Sequence, residues 1–139
     1  MKKYILDIDN EEETFFYGIL SAEKIARLAW LLNKAFDLDL QRENSIEWFN
    51  QSTNENFYFN KFVFNDELNH LKYTFFSNSD DGINLFSELR TIQYFILIEG
   101  GLTFFDKKNF SNKVKAIKEI QHISLIDQKR LKQKVNLIL

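Results

Sequence analysis

The sequence predicts an α+β fold: a single two-layer domain, residues 1–139, with a mostly antiparallel sheet of five or six strands and two main helices. Three observations lead there. Short segments alternate apolar and polar residues with a period of two. One segment carries a clean helical stripe. Two of the strands are joined by a five-residue connection that favours an antiparallel hairpin. The 139 residues suit one domain, and 15 phenylalanines exclude a disordered chain. The absence of cysteine excludes a disulfide framework, a thiolate nucleophile and a thiolate metal site.

The first expected strand is Tyr4–Ile8, followed by an acidic loop, Asp9–Glu13, and a second strand, Phe15–Leu20. Ser21 is the expected helix N-cap, with Glu23 in the first turn. Ile25, Leu28, Ala29, Leu32 and Phe36 then form one buried stripe, with Trp30 and Leu31 flanking it. Ile46–Phe49 reads as a short strand or turn. Phe57–Phe64 and His70–Phe76 read as a hairpin, the second strand half-buried and the first irregular enough to imply a bulge. Asn78-Ser79-Asp80-Asp81-Gly82 is a turn. Ile92–Ile98 is a central strand covered on both faces and closed by Glu99-Gly100-Gly101. A second helix falls within 104–120, burying Phe110, Val114 and Ile117, with Ser111 or Asn112 as a cap for a shorter version. Ile123–Ile126 is the last strand, and the apolar end Val135–Leu139 docks on the body.

The opening Met1-Lys2-Lys3-Tyr4-Ile5-Leu6 begins like a secretory signal, but Asp7 ends the apolar run after three residues. The longest later apolar run, Tyr94–Ile98, is far short of the ~20 residues of a membrane helix. A cytoplasmic protein without a membrane contact is expected.

No phosphate loop, dinucleotide fingerprint, nucleophile elbow or zinc motif is present. Asp7 and Asp9, with Asp37 and Asp39, would make a hard-cation site only if the pairs converged; solvated strand and helix ends explain them better. His70 and His122 lack neighbours at a catalytic spacing. No catalytic residue, metal or cofactor is therefore expected. An enzyme would require a pocket that gathers carboxylates or a histidine. The aromatic run Phe57–Phe64 is read as core or as a dimer face rather than as a base-stacking platform.

The net charge of −2 conceals an asymmetry. Residues 1–100 hold 9 Lys/Arg against 17 Asp/Glu, and residues 101–139 hold 9 against 3. Lys113, Lys115, Lys118, Lys129, Arg130, Lys132 and Lys134, together with Lys107 and Lys108, would neutralise phosphates if they shared a face. Otherwise they solvate the segment or lie against the acidic body.

The segment Phe86-Ser87-Glu88-Leu89-Arg90-Thr91-Ile92-Gln93-Tyr94 resembles the signature of the IPExxxVDY family, small proteins known chiefly from Bacteroidota. Glu88 and Tyr94 match it, and Phe86 and Ile92 replace its Ile and Val. Ser87 stands at its Pro and Gln93 at its Asp. The resemblance extends to Gly18–Leu40 and to Leu131–Ile138. It implies no particular activity or cofactor, and the departure at Gln93 removes an acid–base group. Glu88 and Tyr94 would touch a partner or ligand, or else serve packing, the reading favoured here because a buried tyrosine usually finds a hydrogen-bond partner. The expected function is a small non-enzymatic interaction module whose partner is another protein or a second copy of itself. An RNA-associated factor using the basic C-terminal segment is the alternative.

Overall fold

The computed structural model describes residues 14–101 and 105–131. The expected strand Tyr4–Ile8 (with Asp7 and Asp9), the tail Val135–Leu139, Lys132 and Lys134 lie outside the described residues. The elements run β1 Thr14–Leu20, α1 Ile25–Phe36, β2 Gln41–Asn50, β3 Glu55–Asp66, β4 Leu71–Ser77, β5 Ser79–Asp80 and β6 Ile83–Asn84. A 3₁₀ turn at Ser87–Leu89 follows, then β7 Tyr94–Gly100, α2 Lys107–Lys115, β8 His122–Leu125 and a 3₁₀ turn at Gln128–Arg130. Six strands form one antiparallel sheet in the order β2-β3-β4-β7-β1-β8, and β5-β6 is a separate small hairpin. The fold is α+β, as the periodicities predicted.

Both helices cover one face of this sheet. Ile25, Leu28, Ala29 and Leu32 of α1, with Phe110 and Val114 of α2, pack on Tyr17, Ile19, Tyr73, Phe75, Ile96 and Ile98. The opposite face buries Phe16, Phe59, Phe76, Phe95 and Leu97 under a segment without periodicity, chiefly Leu85, Phe86 and Ile92. This second cover revises the expected half-buried β4: Thr74 and Phe76 are as buried as Tyr73 and Phe75. It also explains β3. Phe57 and Phe59 serve the second face, and Phe62 and Phe64 the helical face, so the strand needs no bulge of its own. The register shift lies in its neighbour β2, where Asn44 and Ser45 oppose Asn60.

Several boundaries differ from expectation; β7 runs from Tyr94 to Gly100, so Ile92 precedes the strand and Glu99 and Gly100 belong to it. α1 starts at Ile25 with Lys24 as an uncapped N-cap, because the Ser21 hydroxyl is engaged upstream. That hydroxyl accepts the Glu23 N–H (3.1 Å) and donates to the Glu119 carbonyl (2.7 Å), so Ser21 joins two segments instead of capping a helix. Glu23 precedes the helix and is not in its first turn. α2 is nine residues long, and its cap is Asp106, whose carboxylate accepts the Asn109 N–H (3.0 Å); neither Ser111 nor Asn112 caps it. β2 has ten residues, because pairing with β3 recruits the polar stretch Gln41–Ser45 that has no apolar alternation.

Two turns depend on backbone that favours glycine. Asp81 (φ 50°) and Gly82 (φ 82°) give the β5–β6 hairpin the paired positive φ of a type I′ turn. Gly100 (φ 116°) lies so close to the His70 carbonyl that a β-carbon would collide with it, and the Gly101 N–H donates to the same oxygen (2.9 Å).

Candidate functional site

The cover of the second face is organised by Asn78, which is fully buried. Its side-chain amide donates to the Leu89 (3.0 Å) and Ile92 (2.9 Å) carbonyls, and its oxygen accepts the Phe86 N–H (2.8 Å). Its backbone N–H donates to Gln93 O (2.9 Å), and its carbonyl accepts from Leu85 N (2.8 Å). A chain without helix or sheet pairing over 85–92 must find partners for its buried peptide groups, and one asparagine supplies most of them. The sequence marked Asn78 only as a turn residue. A buried Asn is indistinguishable from a turn Asn until its surroundings are known.

The signature-like segment is divided between this device, which holds Phe86 and Ile92, and the helical side, which holds Gln93 and Tyr94. Phe86 is fully buried and touches Phe16 (5.7 Å between ring centroids) and Phe95 (5.3 Å). Ser87 opens the 3₁₀ turn, the kind of position where a proline also fits. Gln93 accepts the Ser21 N–H through Oε1 (3.0 Å). The half-buried Tyr94 packs on Phe75 (5.7 Å) and donates its hydroxyl to the Glu23 carbonyl. Burial, and secondarily the Glu23 charge, raise the Tyr94 pKa above its ordinary value. Tyr94 faces the helices while the exposed Glu88 sits on the opposite cover, so the two retained signature residues do not meet. Gln93 and Tyr94 tie the start of β7 to the loop that leads into α1.

Beside this cover lies an open groove of about 610 Å³. Its walls are Trp48 to Ser52, at the end of β2, and Gly82 to Asn84, with Ser87 and Arg90 from the signature segment. Trp48 is held by packing on Phe59 (6.4 Å), while Phe49 is about half exposed. Asn50 Oδ1 accepts the Ser52 (2.8 Å) and Thr53 (3.2 Å) N–H groups and Asn84 donates to the Asn78 carbonyl (3.3 Å), so these two amides hold the walls; Arg90 is the one ionisable residue of the lining among the described residues. An aromatic wall beside polar groups and one cation suits recognition of a ligand or partner chain.

Ionisable groups gather elsewhere, at the β3–β4 turn, where Asp66, Glu67, His70, Lys72 and Glu99 border a hollow of about 540 Å³. Asp66 is consumed by the turn itself, accepting from the Asn69 backbone (3.2 Å) and side-chain amide (2.7 Å), and Lys72 opposes Glu99 across β4–β7. Asp37 is the left-handed C-cap of α1, and Asp39 accepts from Gln41 (2.9 Å). His122 is exposed at the start of β8. Among the described residues, no three His, Asp or Glu side chains come together as metal ligands.

No family model, no curated protein and no solved structure matches this chain.

The C-terminal cations are carried by segments on opposite sides of the sheet. Lys113 and Lys115 are on α2, above the helical face, and the exposed Lys118 follows it. Lys129 and Arg130 stand between Ile126 and Leu131, which pack on the second face; Arg130 lies 3.7 Å from Asp127. None of Lys113, Lys115, Lys118 and Lys129 forms an ion pair with the described residues. The long-range pair of this region has the reverse polarity, joining Glu119 to Arg27 of α1 at 3.3 Å. In the aromatic run, Phe57, Phe59 and Phe62 are core and Tyr58 is about half exposed.

Proposed function

We propose that the protein is a non-catalytic interaction module that recognises a protein partner, or a second copy of itself, through the groove bordered by Trp48 and Arg90. The observation that carries this reading is the lining itself: aromatic surface, polar side chains and, among the described residues, a single permanent cation, placed at the end of β2, on the β5–β6 hairpin and on the Asn78-braced segment. We also propose that the chain is a divergent member of the IPExxxVDY family. In support, Phe86 and Ile92, which stand at the signature's Ile and Val, are both buried on the second face and both bonded to Asn78. A cytoplasmic location belongs to the same proposal and is tested by cell fractionation.

The test is affinity purification of the tagged chain from its native cell, with and without nuclease, beside an Arg90→Glu variant and a Lys72→Gln control. Light scattering of the purified proteins accompanies it. The reading expects a nuclease-resistant partner, or a dimer, that Arg90→Glu loses and Lys72→Gln keeps. A partner or dimer that survives Arg90→Glu unchanged contradicts it. The competing reading, turnover, would use the hollow containing His70, Asp66 and Glu99 and would be abolished by His70→Ala.

A further inference from the structure

The sequence divides its charge between an acidic first hundred residues and a basic remainder. The fold divides it differently, by layer. The helices α1 and α2 together carry six cations, Arg27, Lys34, Lys107, Lys108, Lys113 and Lys115, and their carboxylates are confined to the ends, Asp37 and Asp106 as caps and Glu23 and Glu119 beside Arg27. The described strands carry three cations, Arg42, Lys61 and Lys72, against six carboxylates, Glu43, Glu47, Glu55, Asp66, Asp80 and Glu99. Thus α1, which belongs to the acidic part of the sequence, belongs to the basic layer of the molecule.

The helices adjoin each other. Phe36 of α1 stacks near Phe110 of α2 (4.9 Å between centroids), and Lys113 Nζ lies 5.4 Å from the Phe36 ring. Lys113 therefore stands at the edge of α1, whereas Lys115, two positions further along, lies on the other flank of α2. Arg27 is engaged by Glu119 at 3.3 Å and by Glu23 at 3.9 Å. The other five helical cations make no ion pair among the described residues. Amid them stands Trp30, 52% exposed on the solvent side of α1, with Lys34 Nζ 4.8 Å and the Arg27 guanidinium 5.8 Å from its ring. Trp30 contributes to neither core cluster. An exposed indole bracketed by cations matches what an unpaired polynucleotide needs, a flat surface for a base and positive charge for the adjoining phosphates. A membrane surface fits less well, because Trp30 is the only large exposed apolar side chain on the described helices, and insertion needs a broader apolar face.

We propose that the outer face of α1, with the adjoining edge of α2, binds a single-stranded polynucleotide, with a base stacked on Trp30 and phosphates neutralised by Lys34 and Lys113. The proposal is independent of the groove, which lies on the side of the sheet away from the helices.

The test measures fluorescence anisotropy of labelled twelve-residue oligouridylate and oligothymidylate with the full chain across a KCl series. Binding should weaken with salt. Replacing Lys34 and Lys113 together by Gln should flatten the log–log salt slope by about 1.4, at roughly 0.7 for each phosphate left without its lysine, and weaken binding about tenfold at 0.1 M salt. Trp30→Ala should weaken binding about tenfold and leave the slope unchanged. Lys61→Gln with Lys72→Gln, on the strands, and Arg90→Glu, in the groove, should bind as the unmodified chain does. Absence of binding to both probes at 20 mM KCl overturns the proposal. So does binding indifferent to the helix substitutions. Capture by phosphatidylglycerol vesicles but not by the oligonucleotides would assign the face to a membrane instead.

Discussion

The two faces of the central sheet are equally buried but are covered by different physics. On one face, two helices present stripes of apolar side chains, and their backbones satisfy themselves internally. On the other, residues 85–92 form no strand and only one 3₁₀ turn, so their peptide groups depend on Asn78. The helical cover is redundant, with several residues sharing the same work. The second cover is concentrated in two residues, Phe86 as the apolar plug and Asn78 as the polar brace. The difference should appear in mutational sensitivity, at the polar positions more than at the apolar ones.

Phe86→Ala should have the largest effect, about 4 kcal/mol, because a fully buried ring leaves a cavity among Phe16 and Phe95. Leu28→Ala, equally buried under α1, should cost a comparable 2–5 kcal/mol (roughly), so urea denaturation should rank the two covers as equals in packing. Asn78→Ala should cost about 3 kcal/mol despite removing little apolar area, since it strands the Phe86 N–H and the Ile92 carbonyl and leaves the Leu89 carbonyl with the Ile92 N–H alone. No single polar residue on the helical face should approach that value.

Tyr94→Phe should cost about 1 kcal/mol, the worth of the hydroxyl's bond to the Glu23 carbonyl. Burial is the main cause that raises the pKa of Tyr17, Tyr73 and Tyr94 in the folded protein above the ordinary 10.0. A raised pKa means that the fold favours the neutral phenol. This stabilisation is fully present below pH 10 and is lost as pH rises through the folded values. Chemical denaturation should therefore show stability falling in the alkaline range, and less steeply in Tyr94→Phe. The smallest effect belongs to Tyr17→Phe on the helical face. The Tyr17 hydroxyl is buried near Ser111 without a hydrogen bond of ordinary geometry among the described residues, so its removal should change stability by less than about 0.5 kcal/mol or raise it.

The same contrast explains what could be read from the sequence. The helical face was legible because Ile25, Leu28, Ala29 and Leu32 recur with the helical period, and Phe110 and Val114 repeat it on α2. The central position of β7 was legible because Tyr94–Ile98 is apolar on both sides. The second cover was not, because Leu85, Phe86 and Ile92 have no periodicity and their support comes from a residue 7 to 14 positions earlier in the chain. Ser21 misled for a similar reason: its hydroxyl suits a cap, but Glu119, 98 residues away, competes for it. For the candidate surfaces, the cations were visible but their grouping was not. The line between acidic and basic regions follows the sheet, placing Lys34 with Lys113 and separating Lys113 from Lys129.

Native-state hydrogen exchange of the Phe86 amide tests most directly the claim that Asn78 braces the second face. In the unmodified protein this buried N–H, bonded to Asn78 Oδ1 at 2.8 Å, should exchange as slowly as the core amides of α1. In Asn78→Ala, protection over 85–92 should collapse while that of α1 falls only with the global stability. Equal loss in both regions, or an unchanged Phe86 amide, would contradict the account.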